Sequence, residues 1–286
     1  MALRAKIRAY WSLIKSMQTG LLLVTGWAGF MSCLCPVTNL PTLLALTGSL
    51  FLAISGATVL NMWYDRDIDA RMQRTCWRPL PMEQVNPREA LLLGLLLAGT
   101  GVAWALIINR LYGAIIFAGF FFDVIIYSIW LKRRTPWSVI FGGISGGMPI
   151  LAGRALALGY VDWVGVALSL AVLFWIPTHI LTFSMRFFVD YENAEIPTFP
   201  AVYGFQATRI AIALSSVLAA LFMAVAAYGI GLTWGYLRLL AVLSLGLFIL
   251  AVASTLRPSE KVNFGLFKYA SLYMLGAMLI IIFEAI

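Results

Sequence analysis

Long apolar runs alternate with short polar ones along the whole chain. Nine runs are long enough to cross a bilayer, at about 17–35, 41–60, 89–108, 111–130, 137–153, 163–185, 210–231, 236–255 and 264–285. A span needs roughly 20 mostly apolar residues. These runs are continuous and show no ten-residue alternation, so the pattern predicts helices, not a barrel. Local chemistry marks several boundaries. Asn86-Pro87 reads as an N-cap with a first-turn proline. Asp162 is placed to cap the helix opening at Trp163. Pro177 lies inside the sixth run and is expected to kink it. Trp11, Trp63, Trp130, Trp137, Trp163 and Trp234 fall near run ends, where interfacial anchors belong. Arg4, Lys6 and Arg8 precede the apolar stretch from Gly20 to Cys35, and without a convincing cleavage site this reads as a retained first helix.

Composition sharpens this picture. Of 286 residues, 62% are hydrophobic and 11% charged, against about 25% charged in a soluble domain. The mean hydropathy is +0.92. The expected fold is an all-α polytopic membrane protein with nine transmembrane helices, residues 1–286 forming a single membrane domain. The net charge of +8 does not indicate nucleic acid, because the basic residues sit in the gaps between spans. Cys33, Cys35 and Cys76 show no metal-ligand spacing.

Charge also orients the chain. With the N-terminus cytoplasmic, 17 of the 20 Lys and Arg residues fall on the inside, and only Arg110, Arg154 and Arg238 fall outside. The C-terminus is then external. Nine of the acids, from Asp65 to Glu260, lie on the inner face, so that face is expected to carry the chemistry.

The stretch "NMWYDRDIDARMQRT", residues 61–75, follows twenty uncharged residues and brings three aspartates and three arginines together, with a fourth arginine at 78. Asn61, Asp65 and Asp69 are four apart and would share one helix face, with Asp67 pointing elsewhere. Two carboxylates and an amide oxygen in a ladder suit Mg2+, which takes oxygen ligands and shares them with substrate phosphates. Arg71, Arg74 and Arg78 supply guanidinium forks for phosphate oxygens. The stretch therefore reads as a Mg2+ and diphosphate site at the membrane edge. A second cluster, "RFFVDYENAEIPTFP" (186–200), offers Asp190, Glu192 and Glu195. If the two loops meet, Asp190 would hold a second metal or the same diphosphate. "YSIWLKRRTP" (127–136) adds Lys132 as the phosphate contact nearest its span end, with Arg133 and Arg134 open between phosphate binding and topology anchoring.

Asp123 lies mid-span in "FFFDVIIYS", and an intramembrane acid is functional by default. Four residues apart, Asp123 and Tyr127 would share a face. Asp123 would then touch an acceptor, the reacting end of a substrate, or a neighbouring helix. His179 is the single histidine, and a structural role and an acceptor-binding role are both open. "GGISGGMP" (142–149) permits close helix approach.

At this point the residues resemble a known family. N-x-x-x-D-x-x-x-D at 61–69 with R-x-x-R-T-x-x-R-P-L at 71–80 is similar to the first signature of the UbiA superfamily of intramembrane prenyltransferases. "DRDIDARMQRT", "YSIWLKRRT" and "PTHILTFSMRFFVDYENAEIPTFPAVYG" (177–204) resemble the superfamily's protoheme IX farnesyltransferase branch most closely. Departures are alanine at 194, where many members have a second acid, "PTH" where the branch has wording like "PPH", and Lys15-Ser16 in place of Lys-Pro.

The resemblance implies Mg2+-dependent transfer of a polyprenyl group from its diphosphate to a membrane-embedded acceptor. Asn61, Asp65, Asp69 and Asp190 would carry the metal. Lys15, Arg71, Arg74, Lys132 and Tyr127 would meet the diphosphate. His179 and Glu195 would face the acceptor or cavity; Asp123 matches no family motif, and its place at the acceptor or cavity rests on its mid-span position alone. Haem B is the leading acceptor, and an archaeal lipid or a quinone precursor ring stays open. A transporter fits less well, because the acids gather at one membrane edge, not the midplane, and no internal repeat is visible.

Overall fold

The computed structural model describes residues 3–34 and 40–286; Cys35 lies outside them. A short helix α1 (Leu3–Leu13) precedes α2 (Ser16–Met31) and α3 (Leu40–Tyr64), which runs into the short α4 (Arg66–Arg71). After a loop come α5 (Pro87–Ile108) and α6 (Arg110–Phe120), the latter continuing as a π-helical segment (Phe121–Leu131). Then follow α7 (Ser138–Leu158), α8 (Trp163–Arg186), the short α9 (Phe188–Asn193), α10 (Phe199–Ile230), α11 (Trp234–Leu256) and α12 (Glu260–Glu284).

Among the described residues, eight helices are long and apolar enough to cross a membrane: α3, α5, the α6–π unit, α7, α8, α10, α11 and α12. The first expected span corresponds to α2, which has 16 residues. The chain is an integral, multi-pass membrane protein. Outward-facing apolar side chains such as Leu92, Leu214 and Val242 are exposed. On a soluble protein such a surface would be a liability, and in a bilayer it meets lipid.

The caps act where expected. Asn86 Oδ1 accepts the Arg88 amide, with Pro87 opening α5. Asp162 Oδ1 accepts the Gly165 amide. Helix α8 runs unbroken through Pro177. α10 contains one non-helical residue, Gly204 (φ 80°).

Two differences from the expected layout have clear causes. Helix α1 is absent from the apolar-run pattern because it lies on the bundle by one narrow face: Ala9 and Leu13 pack against Val59, Met62, Leu80 and Val85. Arg154 is not a loop residue. It sits inside α7, 7% exposed. Its guanidinium forks onto both oxygens of Asp162 at 2.8 Å and donates to the Ser32 carbonyl and hydroxyl, each at 2.8 Å. A charge this well matched can be carried inside a span end. The Arg154 hydrogen bonds hold the Asp162 carboxyl below its ordinary range.

Backbones approach closely where the glycines allow it. A methyl at Gly56 of α3 would run into the Ala98 backbone of α5, and one at Gly101 into Ala53. Gly147 of the glycine-rich run lies against Ser169 of α8 in the same way.

Candidate active site

The acids gather where α3 passes into α4. The Asp65 amide bonds to the Asn61 carbonyl at 2.9 Å and the Asp69 amide to the Asp65 carbonyl at 2.8 Å. Helical hydrogen bonding thus continues across the junction and keeps the four-residue ladder. Asp65 and Asp69 are 6% and 4% exposed, so their charges need partners. Asp67 faces outward instead, as its offset from the ladder requires. It takes both arms of the Arg133 fork at 2.7 and 2.8 Å, and that pairing lowers its pKa.

Asp65 and Asp69 are each matched by a base. Lys132 Nζ pairs with Asp65 Oδ2. Arg78 Nη1 donates to both oxygens of Asp69, at 2.8 and 2.9 Å. Among the described residues no three acids, histidines or cysteines converge as a metal cluster; lysine and arginine do the neutralising. Asp65 Oδ1 is buried and has no hydrogen-bond partner. An unspent carboxylate oxygen beside a second carboxylate and the Asn61 amide is the donor set Mg2+ takes, so the residues present fit the ion.

Burial, together with Arg78 and Lys132 nearby, lowers the Lys15 pKa to about 8. Lys15 holds a left-handed backbone (φ 50°) where the chain turns into α2. Burial also opposes the Lys132 charge, but Asp65 outweighs it and raises the Lys132 pKa above the ordinary lysine range. Lys132 stands 5.8 Å from the Tyr127 ring centre.

The two acidic loops meet. Asp190 accepts the Gln73 and Arg74 amides at 3.2 and 3.1 Å. Ile68 and Met72 pack on Ala194 and Ile196. Ala194, where many superfamily members carry an acid, is 4% exposed within that apolar seam. Arg74 lies over the Phe183 and Phe187 rings at 4.8 and 5.5 Å. Arg71 and Glu195 face one another at 3.6 Å on the outer rim, both largely exposed.

Asp123 is bound to the ladder. Its Oδ2 accepts Asn61 Nδ2 at 2.8 Å, and Asn61 Oδ1 accepts the Ser128 hydroxyl at 2.8 Å. Ser128 escaped the sequence reading because that reading assumed α-helical spacing, in which residues five apart do not share a face. The π segment brings Asp123 and Ser128 together: the Ser128 hydroxyl also contacts the Asp123 carbonyl at 3.0 Å.

His179 lies apart, between α8 and α12. Its ring stacks on Trp175 and Phe267 at 5.0 and 4.5 Å, and Nδ1 lies 3.2 Å from Ser271 Oγ. Phe267 neighbours Phe183, the ring under Arg74, at 5.7 Å. An aromatic column therefore joins the histidine to the loop face.

Comparison with known proteins decides the family. The profile of the UbiA prenyltransferase family matches residues 22–272. The chain belongs to the UbiA prenyltransferase family. A protein from Korarchaeum cryptofilum named protoheme IX farnesyltransferase is 40% identical over 215 residues, 75% of this chain and 72% of the relative. One of the same name from Archaeoglobus fulgidus is 35% identical over 269 residues, 93% of this chain and 94% of the relative. Among solved structures, a digeranylgeranylglyceryl phosphate synthase superposes with a TM-score of 0.81 at 20% identity, covering 98% of both chains. A UbiA homologue from Archaeoglobus fulgidus, bound to GPP and Mg2+, superposes with a TM-score of 0.71 at 17% identity, covering 96% of this chain and 99% of that one. At those identities the structural likeness concerns the UbiA fold alone.

Proposed function

We propose that this UbiA-family prenyltransferase transfers a farnesyl group from farnesyl diphosphate to protoheme IX, with Mg2+, and that residues 1–286 act as one catalytic domain. The observation that carries the reading is 35% identity across 93% of the chain to a relative named for that reaction. The Asn61–Asp65–Asp69 ladder, with both aspartates buried, supports it. The charge pattern supports a cytoplasmic N-terminus and cytoplasmic active-site loops, with the C-terminus outside.

The assignment of roles follows the geometry. Asn61, Asp65 and Asp69 would hold the metal, and Asp190, which accepts the Gln73 and Arg74 amides, fixes the adjoining loop and would offer its remaining lone pairs. Bound there, Mg2+ supplies Lewis-acid neutralisation of the diphosphate. Lys132, Lys15 and Arg74 add fixed positive charge, which favours the departing pyrophosphate over the bound ester. Tyr127 backs Lys132. Arg71 contacts the outer phosphate from the rim, and Glu195 holds it ready. The apolar span faces receive the prenyl tail and keep water from the developing allylic cation. His179, flanked by flat rings, faces the planar acceptor.

The test is direct. Purified protein with Mg2+, farnesyl diphosphate and protoheme IX is expected to release pyrophosphate and give a product that carries the farnesyl group. Geranylgeranylglyceryl phosphate and a quinone precursor ring serve as competing acceptors, and turnover of either in preference to protoheme IX would overturn the acceptor assignment.

Two further outcomes are expected. The catalytic efficiency kcat/KM for the diphosphate reports the free enzyme. Lys15 is charged below about pH 8 and neutral above it, so kcat/KM should fall as pH rises through that value. Lys15→Gln should lower the plateau and remove the inflection; a profile unchanged by the substitution refutes the role. His179→Ala should raise KM for protoheme IX roughly tenfold, about the worth of one hydrogen bond from the ring edge, and leave KM for farnesyl diphosphate unchanged.

A further inference from the structure

Asn61 can serve a metal only through Oδ1, since its Nδ2 is a donor. The two ends of an amide are nearly the same shape, so something must choose which end faces the site. Ser128 cannot choose, because a hydroxyl either donates or accepts. Asp123 can, because a carboxylate only accepts. It lies 2.8 Å from Nδ2, which turns Oδ1 toward Ser128 and away from Asp123.

The backbone makes this arrangement possible. Asp123 and Ser128 are five apart and both reach the same Asn61 side chain. On an α-helix they would diverge by well over a quarter turn, whereas an i to i+5 turn aligns them. The π segment (Phe121–Leu131) supplies that alignment and ends at Leu131, immediately before Lys132. The same stretch of helix therefore delivers the base that pairs with Asp65.

We infer that Asp123 is a positioning residue: through its hydrogen bond it orients the Asn61 amide so that the carbonyl oxygen, not the amino group, is presented to the metal. This rests on the metal reading above. Asp123 touches neither diphosphate nor acceptor in this role; it acts through Asn61.

Two substitutions separate orientation from charge. Asp123→Leu leaves Nδ2 without an acceptor, so the amide gains by turning Nδ2 to the Ser128 oxygen, whose hydroxyl can donate instead to the residue-123 carbonyl 3.0 Å away; the wrong end then dominates, and loss of such an outer partner costs about 10- to 100-fold in metal affinity. Asp123→Asn can offer its own carbonyl to Nδ2, or its amino group to a flipped Asn61. With two comparable arrangements, about half the molecules are competent, and affinity falls only about twofold.

The readout is Mn2+ binding to the detergent-solubilised protein in the presence of a non-reactive thiolo analogue of farnesyl diphosphate, free Mn2+ being counted by electron paramagnetic resonance. Melting temperature is followed in parallel. The expected order of affinity is wild type, Asp123→Asn close behind, and Asp123→Leu far weaker. Equal weakening in both variants would mean that charge, not orientation, matters, and would overturn the inference. Unchanged binding in Asp123→Leu would also overturn it. Should Asp123→Leu fail to fold, Asp123→Ser, too short to reach Nδ2, takes its place with the same expected loss. Asn61→Ala is the reference: if it binds Mn2+ normally the metal reading itself fails, whereas a weakened Asn61→Ala beside a normal Asp123→Leu removes only the positioning role.

Discussion

Asp65→Asn is expected to lower turnover about a thousandfold, the scale of removing one fixed group that stabilises charge in a water-poor site. Asp65 is the acid with an unspent, buried oxygen, so its amide replacement removes both a ligand and a full negative charge. The substitution has a second consequence. Lys132 pairs with Asp65 and is itself mostly buried, its side chain 20% exposed. With an amide opposite, the ammonium is left unmatched, and breaking a buried pair from one side costs more than replacing both partners. Asp65→Asn should therefore melt earlier than wild type, and adding Lys132→Met should recover the melting temperature without recovering turnover. Single-turnover product formation and thermal melts in detergent check both halves. Turnover within tenfold of wild type in Asp65→Asn would sink the metal assignment.

Arg154→Ala is expected to give the largest loss of stability, about 3–5 kcal/mol, because it strands Asp162 and the Ser32 carbonyl. For a chain of this length that is a melting point lower by roughly 10 °C. Arg154 lies sixteen residues along α7 from Ser138, about 24 Å at helical rise, so activity of the folded fraction at low temperature should be unchanged. The pH dependence has a definite sign. The Asp162 pKa is lowered in the folded chain by Arg154. The pair thus stabilises the fold at neutral pH, and that contribution is lost as pH falls below the ordinary aspartate value through the folded one. Arg154→Ala should flatten this acid limb. A variant melting within 2 °C of wild type, a limit set at about a fifth of the predicted shift, would refute the account.

The spans were legible because a bilayer enforces one rule, continuous apolar length, and caps such as Asn86 and Asp162 act over a few residues. The ladder of Asn61, Asp65 and Asp69 was legible because helical spacing is local. What escaped depends on distant partners. Arg154 looked like a loop charge, since nothing in its neighbourhood reveals that Ser32, 122 positions away, receives it. The pairing of Asp65 with Lys132 spans 67 positions. Helix α1 hides because a surface helix on one narrow face has no apolar run. The π register hides because it changes the periodicity on which such reading depends, so helical spacing offers Asp123 the neighbour Tyr127 but not Ser128, which joins it at Asn61.

The contact between α3 and α5 leaves no space for a methyl group at Gly56, five residues before Asn61. A side chain there meets the Ala98 backbone first, with the fixed Ala98 Cβ beside it, and neither yields as a rotamer does. The strut carrying the ladder would have to slide instead. Inheritance at such a position is therefore all or nothing: a single added carbon would leave a protein that still inserts into its membrane and has lost its aim.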